Sequence, residues 1–220
     1  MAVIVPFESH STPSIDRLVE LVASDMERVN STILSRTGSE VTMIPEVANH
    51  LISSGGKRLR PMLTLAMANL TGYSGDGHIK LAAAVEFMHT ATLLHDDVVD
   101  VSALRRGRAT ANANWGNAPS VLVGDFIYSR AFQVLVGIGY MDILRLMSDT
   151  TNIIAEGEVE QLARAGDPAA TEAQYPQIIG KKTAVLFAAA AEGAAILAGP
   201  TPGPRAAMRD YAINLGLAFQ

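Results

Sequence analysis

Apolar residues recur along this chain at three- and four-residue intervals and almost nowhere in alternation, which is the signature of helices rather than strands. Ile15, Leu18, Val19, Leu21 and Val22 open an amphipathic stripe that runs to about Leu34. Thr12-Pro13 stands before it as an N-cap with a first-turn proline. The same period predicts helices over about 44–52, 57–70, 78–101, 119–136, 142–165, 172–197 and 205–220. Ser53-Ser54-Gly55-Gly56, Gly72 and Gly75-Asp76-Gly77 punctuate them. Residues 102–116 are polar and basic, lack an apolar period, and read as a loop. The expected architecture is one all-α domain over residues 12–220, preceded by a flexible tail at 1–11.

Composition sharpens this reading. Apolar residues make up 49% of the 220-residue chain and aromatics only 5%, a balance that favours helix over sheet and suffices for one large core. The net charge of −5, with no basic stripe, argues against a nucleic-acid partner. The absence of cysteine rules out a disulfide framework or a thiolate metal site. It fits a reducing compartment, and MAVIVPFESH has neither the charged nor the apolar region of a secretory signal, so a cytoplasmic location is expected. The most apolar stretch, 183–199, falls short of the roughly 18 residues a membrane span needs and carries Glu192. It reads as a buried helix, and no transmembrane segment is expected.

Chemistry concentrates in two places. His89–Arg106 sets Asp96, Asp97 and Asp100 at the end of a long apolar helical run. Asp96 and Asp100 share a helical face and Asp97 lies about a quarter-turn round. Like charges at i,i+4 cost an isolated helix about 0.2–0.5 kcal/mol, so folding alone does not explain them. Hard cations want such oxygens, and Mg²⁺ takes one or two carboxylates together with substrate phosphates. The second place is Gly55-Gly56-Lys57-Arg58-Leu59-Arg60-Pro61, where paired glycines and three cations stand at a helix N-terminus. Cations there oppose the macrodipole unless an anion sits among them, and a diphosphate is the obvious candidate. His89 projects from nearly the same face as Asp96. Arg105, Arg106 and Arg108 follow within one loop, and Lys181-Lys182-Thr183 add positive charge further on. Two anionic ligands, one held through metal and one held by bare cations, account for this arrangement.

GGKRLRP and LLHDDVVD, followed by RRG, VLVGDFIYSRAF, IAEGEVEQL, KKTA and GLAFQ, resemble the trans-isoprenyl diphosphate synthases, specifically the long-chain octaprenyl and decaprenyl type. The resemblance implies antiparallel helices around a deep central cavity, a homodimer, and Mg²⁺ as cofactor. It implies that Asp96, Asp97 and Asp100 bind an allylic diphosphate, such as farnesyl diphosphate, through Mg²⁺. Lys57, Arg60, His89 and Arg106 would hold isopentenyl diphosphate. Arg105, Lys182 and Thr183 would face the allylic diphosphate, Gln161 and Gln220 would line the site, and Phe219 would pack near the isopentenyl tail. Gly124-Asp125 would serve helix packing.

Metal and arginines would draw off the allylic diphosphate, and the isopentenyl double bond would attack the resulting cation in a dry cavity. The product would grow down the aspartate helix past Thr92 and Met88. Small residues at Ala91 and Thr92 would leave room for a long tail, and Leu135 and Met147 would contribute to the floor. The long product, a quinone side chain, would pass to membrane enzymes.

The family places a second aspartate-rich motif directly after GLAFQ. The chain stops at Gln220 on apolar residues without a helix stop signal, so a truncation is expected, with activity lost or badly impaired in this piece alone. Four other readings compete. A short-chain (farnesyl or geranylgeranyl) synthase would use the same residues, and a class I terpene cyclase has no second diphosphate to hold. A metal phosphohydrolase built on His95-Asp96 lacks well-spaced partners, since His78 and His89 make a poor set. A non-catalytic subunit of a heteromeric synthase would not need all three aspartates.

Overall fold

The computed structural model describes residues 14–165, 171–172, 174–199 and 202–220. The tail at 1–11 and the Thr12-Pro13 cap lie outside the described residues. Helix α1 (Ile15–Arg36) starts where Ser14, in extended backbone, accepts a hydrogen bond from the Asp16 N–H at 3.1 Å, so Ser14 fills the capping role. It buries only Val22, Val29 and Ile33, a stripe one side chain wide. Helices α2 (Met43–Ser53) and α3 (Leu59–Leu70) follow, and then α4 (Gly77–Val99). The wall of α4 is buried nearly all round, from His78 to Asp97, as befits a helix with apolar residues on every side.

Around α4 stand α1, α3, α6 (Asn117–Val136) and α9 (Val185–Leu197). Helix α9 packs in turn on α7 (Met141–Arg164) and α10 (Pro202–Phe219). The alanines at 82–84 and 188–191 are fully or almost fully buried, and their short side chains let α4 and α9 lie close. The all-α expectation holds. Among the described residues, no helix is long and apolar enough to cross a membrane.

Two stretches depart from the sequence reading. Residues 102–116 are not a plain loop. They hold a two-stranded antiparallel ladder, β1 (Leu104–Arg105) and β2 (Arg108–Ala109), then the short helix α5 (Ala111–Trp115). Arg106 and Gly107 turn between the strands with φ of 53° and 76°, the pattern of a type I′ hairpin. Strands of two residues are too short to show alternation, which is why the sequence pattern misses them.

The predicted 172–197 helix is likewise broken into α8 (Tyr175–Ile179), a π-helical turn at Gly180–Ala184, and α9. Such one-turn π insertions frequently mark functional sites, and this one carries Lys181, Lys182 and Thr183. A smaller difference lies in α3, which begins at Leu59 rather than Lys57. Lys57 and Arg58 thus stand ahead of the helix instead of in its first turn.

Candidate active site

A cavity of about 690 Å³ opens where the loop before α3, one face of α4, the β1–β2 hairpin, α7, the π turn and the end of α10 converge. One wall is cationic. Gly55, Gly56, Lys57, Arg58 and Arg60 line it together with His89 and Arg106. Arg58 is left-handed at φ 50° and Arg106 at φ 53°, conformations that cost a side-chain-bearing residue about 1–2 kcal/mol. Both sit at the mouth. Gly56 gives the Arg106 guanidinium room: a Cβ on it would lie 3.1 Å from Arg106 Nη1, tight enough to push the guanidinium back by a few tenths of an ångström.

Arg60 lies over the Phe187 ring at 4.6 Å, and Lys57 over Phe219 at 5.6 Å. The Nε of Arg60 is buried without a hydrogen-bond partner. Burial brings the Arg60 guanidinium down to about 10, with Glu86 pulling the other way. His89 is held well below the ordinary histidine value, first by burial and then by the charges of Arg60, Arg106, Arg105 and Arg58. It is a neutral imidazole at neutral pH.

The opposite wall holds the acidic groups, of which Asp97 and Glu158 are paired within the protein. Helix α4 ends in a Schellman arrangement. The Ser102 N–H donates to the Asp97 carbonyl at 2.9 Å and the Val101 N–H to the Val98 carbonyl at 3.2 Å. The C′ position belongs to Val101, left-handed at φ 52°, where glycine is usual. That reversal throws the hairpin back against α4, so Arg105 grips Asp97 through Nε at 2.9 Å and Nη2 at 2.8 Å. Asp97 is 1% exposed, and the Asn112 side chain donates to its carbonyl at 3.1 Å.

Asp96 faces the cavity. Burial, then the carboxylates of Glu158 and Asp100, push it up to about 6, against the pull of Lys182 and Arg105. Asp100 caps α4 and is exposed. On α7, Glu158 pairs with Lys182 at 2.6 Å, and the Lys182 ammonium also donates to Gln161 at 2.8 Å. Thr183 donates to Gln220 at 3.1 Å, closing the rim against α10. The Phe219 ring stacks at a tilt on Phe187, 5.6 Å away.

Most of the expected residues thus meet. Lys57, Arg60, His89, Asp96, Arg105, Arg106, Lys182, Thr183, Phe219 and Gln220 all line the cavity. Asp97 and Asp100 do not, and among the described residues no three Asp, Glu or His side chains gather closely enough to hold a metal ion. A hard divalent cation nevertheless fits the donor chemistry. Asp96, crowded by like charge, and exposed Asp100 are the oxygens open to it, which matches Mg²⁺ binding by one or two carboxylates plus phosphate.

Of the chain-length candidates only Thr92 reaches the cavity, beside Leu93. Met88, Ala91, Leu135 and Met147 are packed into the core below. His95 is a packing residue: its Nε2 lies 3.2 Å from the Val121 carbonyl and 3.3 Å from Asp125. A Cβ on Gly124 would come within 2.4 Å of that same nitrogen, so Gly124 serves the contact of α4 with α6.

Glu86 and Glu158 are cavity residues that motif reasoning passed over, while Arg58, counted among the three cations of its loop, was given no separate role. The glutamates gave a signal of a kind. Each is an acidic residue within an apolar run or beside a helix glycine, where burial demands a partner.

Fold and site together define a helical protein with one cavity lined by both carboxylates and cations. The chain belongs to the polyprenyl synthetase family, whose model matches residues 41–220. It is 51% identical over 207 residues to octaprenyl diphosphate synthase of Escherichia coli (strain K12), covering 94% of this chain and 64% of that one. A polyprenyl synthase from Caulobacter crescentus CB15, solved with calcium and isoprenyl diphosphate, superimposes with a TM-score of 0.93 at 53% identity, over 96% of this chain and 65% of the other. A decaprenyl diphosphate synthase from Rhodobacter capsulatus gives 0.92 at 52% identity, over 94% and 64%. The chain therefore spans somewhat less than two thirds of the length of these relatives.

Proposed function

We propose that this chain carries the cavity of a long-chain all-trans polyprenyl diphosphate synthase, a prenyltransferase that condenses isopentenyl diphosphate repeatedly onto an allylic diphosphate. The observation that carries the reading is the opposition of two unlike walls across one cavity: Lys57, Arg60, His89 and Arg106 on one side, and Asp96 with Arg105, Lys182 and Thr183 on the other. One anion held through metal and a second held directly need such a division. Relatives named as octaprenyl and decaprenyl diphosphate synthases favour a long chain; a quinone side chain is the use we propose for it. The calcium and isoprenyl diphosphate in the Caulobacter structure favour a divalent cation, here Mg²⁺.

Asp96 and Asp100 would hold Mg²⁺ against the allylic diphosphate, and the metal would neutralise charge on that leaving group. Arg105, held by Asp97 through Nε and Nη2, would offer its remaining N–H groups to the same diphosphate. Lys182 and the Thr183 hydroxyl approach it from the π turn. Across the cavity Arg60, Lys57 and Arg106 orient isopentenyl diphosphate so that its double bond faces the allylic C1. The allylic C–O bond breaks, a C–C bond forms, and a proton leaves the isopentenyl unit for the departed diphosphate, so no side-chain base is needed. Leu93 and Phe219 keep water from the cation.

The growing tail would leave the cavity at Thr92, and would reach Met88, Ala91, Leu135 and Met147 only by parting the core into which they are packed. We place the reaction in the cytoplasm, in a homodimer that passes its product to membrane enzymes. Incubating the full-length protein with farnesyl diphosphate, isopentenyl diphosphate and Mg²⁺ should give products of about eight to ten isoprene units. Products of three or four units, or a cyclised terpene, would refute the long-chain assignment.

A further inference from the structure

The anion-binding wall contains one group of the wrong sign. Glu86, one turn before His89 on α4, is 8% exposed and lines the cavity between the cations. A carboxylate buried beside a diphosphate site repels the ligand, so its presence calls for a compensating role. Its Oε1 accepts a hydrogen bond from Arg58 Nη1 in an ion pair, and its charge also acts on Arg60.

Arg58 is the left-handed residue at φ 50° that turns the chain into α3. Its carbonyl accepts from the Met62 N–H at 3.0 Å, and no side chain caps the helix there. Of the two cations aimed at the ligand, Lys57 directly precedes this strained residue and Arg60 follows two positions later, in the first turn of α3. Were Arg58 to relax to an ordinary conformation, the direction in which Lys57 leaves the backbone would change. Its place over Phe219 would be lost.

We infer that Glu86 is a positioning residue. By anchoring Arg58 in its left-handed conformation it sets the aim of Lys57 and Arg60, and so governs affinity for the diphosphate held without metal. The inference rests on the proposed isopentenyl diphosphate subsite and goes beyond it. Glu86 and Arg58 need not touch the ligand themselves.

The test uses the full-length protein and Glu86→Gln. Calorimetric titration of isopentenyl diphosphate in the absence of metal should show Kd raised about tenfold. Its KM should rise in parallel, while kcat and the KM for the allylic diphosphate stay within about threefold. Arg58→Gly is the second variant, because glycine adopts the left-handed conformation without a tether. In that background Glu86→Gln should cause no further loss of affinity. Equal losses for both substrates, an unchanged Kd in Glu86→Gln, or additive effects in the double variant would overturn the inference. Should Glu86→Gln fail to fold alone, the Arg58→Gly pair of proteins decides by the same Kd comparison. Failure of the unmutated protein to bind isopentenyl diphosphate at all would instead sink the subsite, and the inference with it.

Discussion

The two walls of the cavity solve opposite problems. On the cationic side, strain and space are arranged in advance: left-handed Arg58 and Arg106, a glycine at 56 to admit a guanidinium, and an Arg60 Nε left without a partner. Such a surface waits for an anion and need not reorganise to take one. On the acidic side every strong charge but Asp100 is answered from within the protein or crowded by its neighbours: Asp97 by Arg105, Glu158 by Lys182, Asp96 by nearby carboxylates. That side can accept a diphosphate only if a cation joins it or its ion pairs exchange. The contrast implies that one ester binds to a ready site and the other to a conditional one.

Several substitutions can break or sharpen that contrast. The largest effect is expected from Asp96→Asn, which removes the one motif aspartate that faces the cavity. kcat should fall by about 10²–10³-fold, on the scale of losing a transition-state electrostatic contact, while isopentenyl diphosphate affinity holds steady. Steady-state kinetics beside a metal-free titration would show whether the two walls are separable.

Next comes Arg60→Met, which keeps the stem over Phe187 and deletes the fork. A charged hydrogen bond worth about 1.5–3 kcal/mol predicts a KM for isopentenyl diphosphate raised roughly 10–100-fold. An allylic KM that rises equally would blur the two walls into one.

Asp97→Asn should be milder, about tenfold in the allylic KM, because it loosens Arg105 rather than the metal. Mn²⁺ affinity read by electron paramagnetic resonance should stay within about twofold. A large loss of metal affinity would return Asp97 to the ligand set that the motif alone suggests.

The smallest effect concerns pH. The unfolded chain protonates His89 near 6.5, whereas the folded protein holds this imidazole neutral well below that value. Stability from this site is therefore complete above pH 6.5 and declines as pH falls towards the folded-state pKa, by up to about 1.4 kcal/mol per pH unit. Denaturant unfolding of the protein and of His89→Gln, compared between pH 5.5 and 7.5, should show a shallower decline in the variant. Parallel curves would mean that His89 does not carry this dependence.

The sequence made much of this site legible because its parts are local. Apolar periodicity located the helices, and the helix pitch brought both His89 and Asp96, from two levels of α4, to the cavity. What it hid depends on backbone reversals and distant partners. Asp97 looks like a third metal ligand until the left-handed Val101 and the Arg106-Gly107 turn bring Arg105 back onto it. The π turn at Gly180–Ala184 leaves no trace in a hydrophobic period, because α9 after it is buried nearly all round and has no stripe to register the change of phase. Glu86 and Glu158 read as ordinary helix charges, and only packing reveals that they face Arg58 and Lys182. The chain-length residues show the converse. Ala91, Met88, Leu135 and Met147 are legible as small or apolar positions along one line, yet they are packed into the core and only Thr92 opens onto the cavity.

The central claim is that the cationic wall binds its ester unaided while the acidic wall needs a divalent cation. Calorimetric titration of the full-length protein with isopentenyl diphosphate and with a non-hydrolysable allylic diphosphate analogue, each with Mg²⁺ and with excess EDTA, tests it directly. The account predicts that EDTA leaves isopentenyl diphosphate binding intact and abolishes binding of the allylic analogue. Equal dependence of both esters on Mg²⁺, or independence of both, would contradict it.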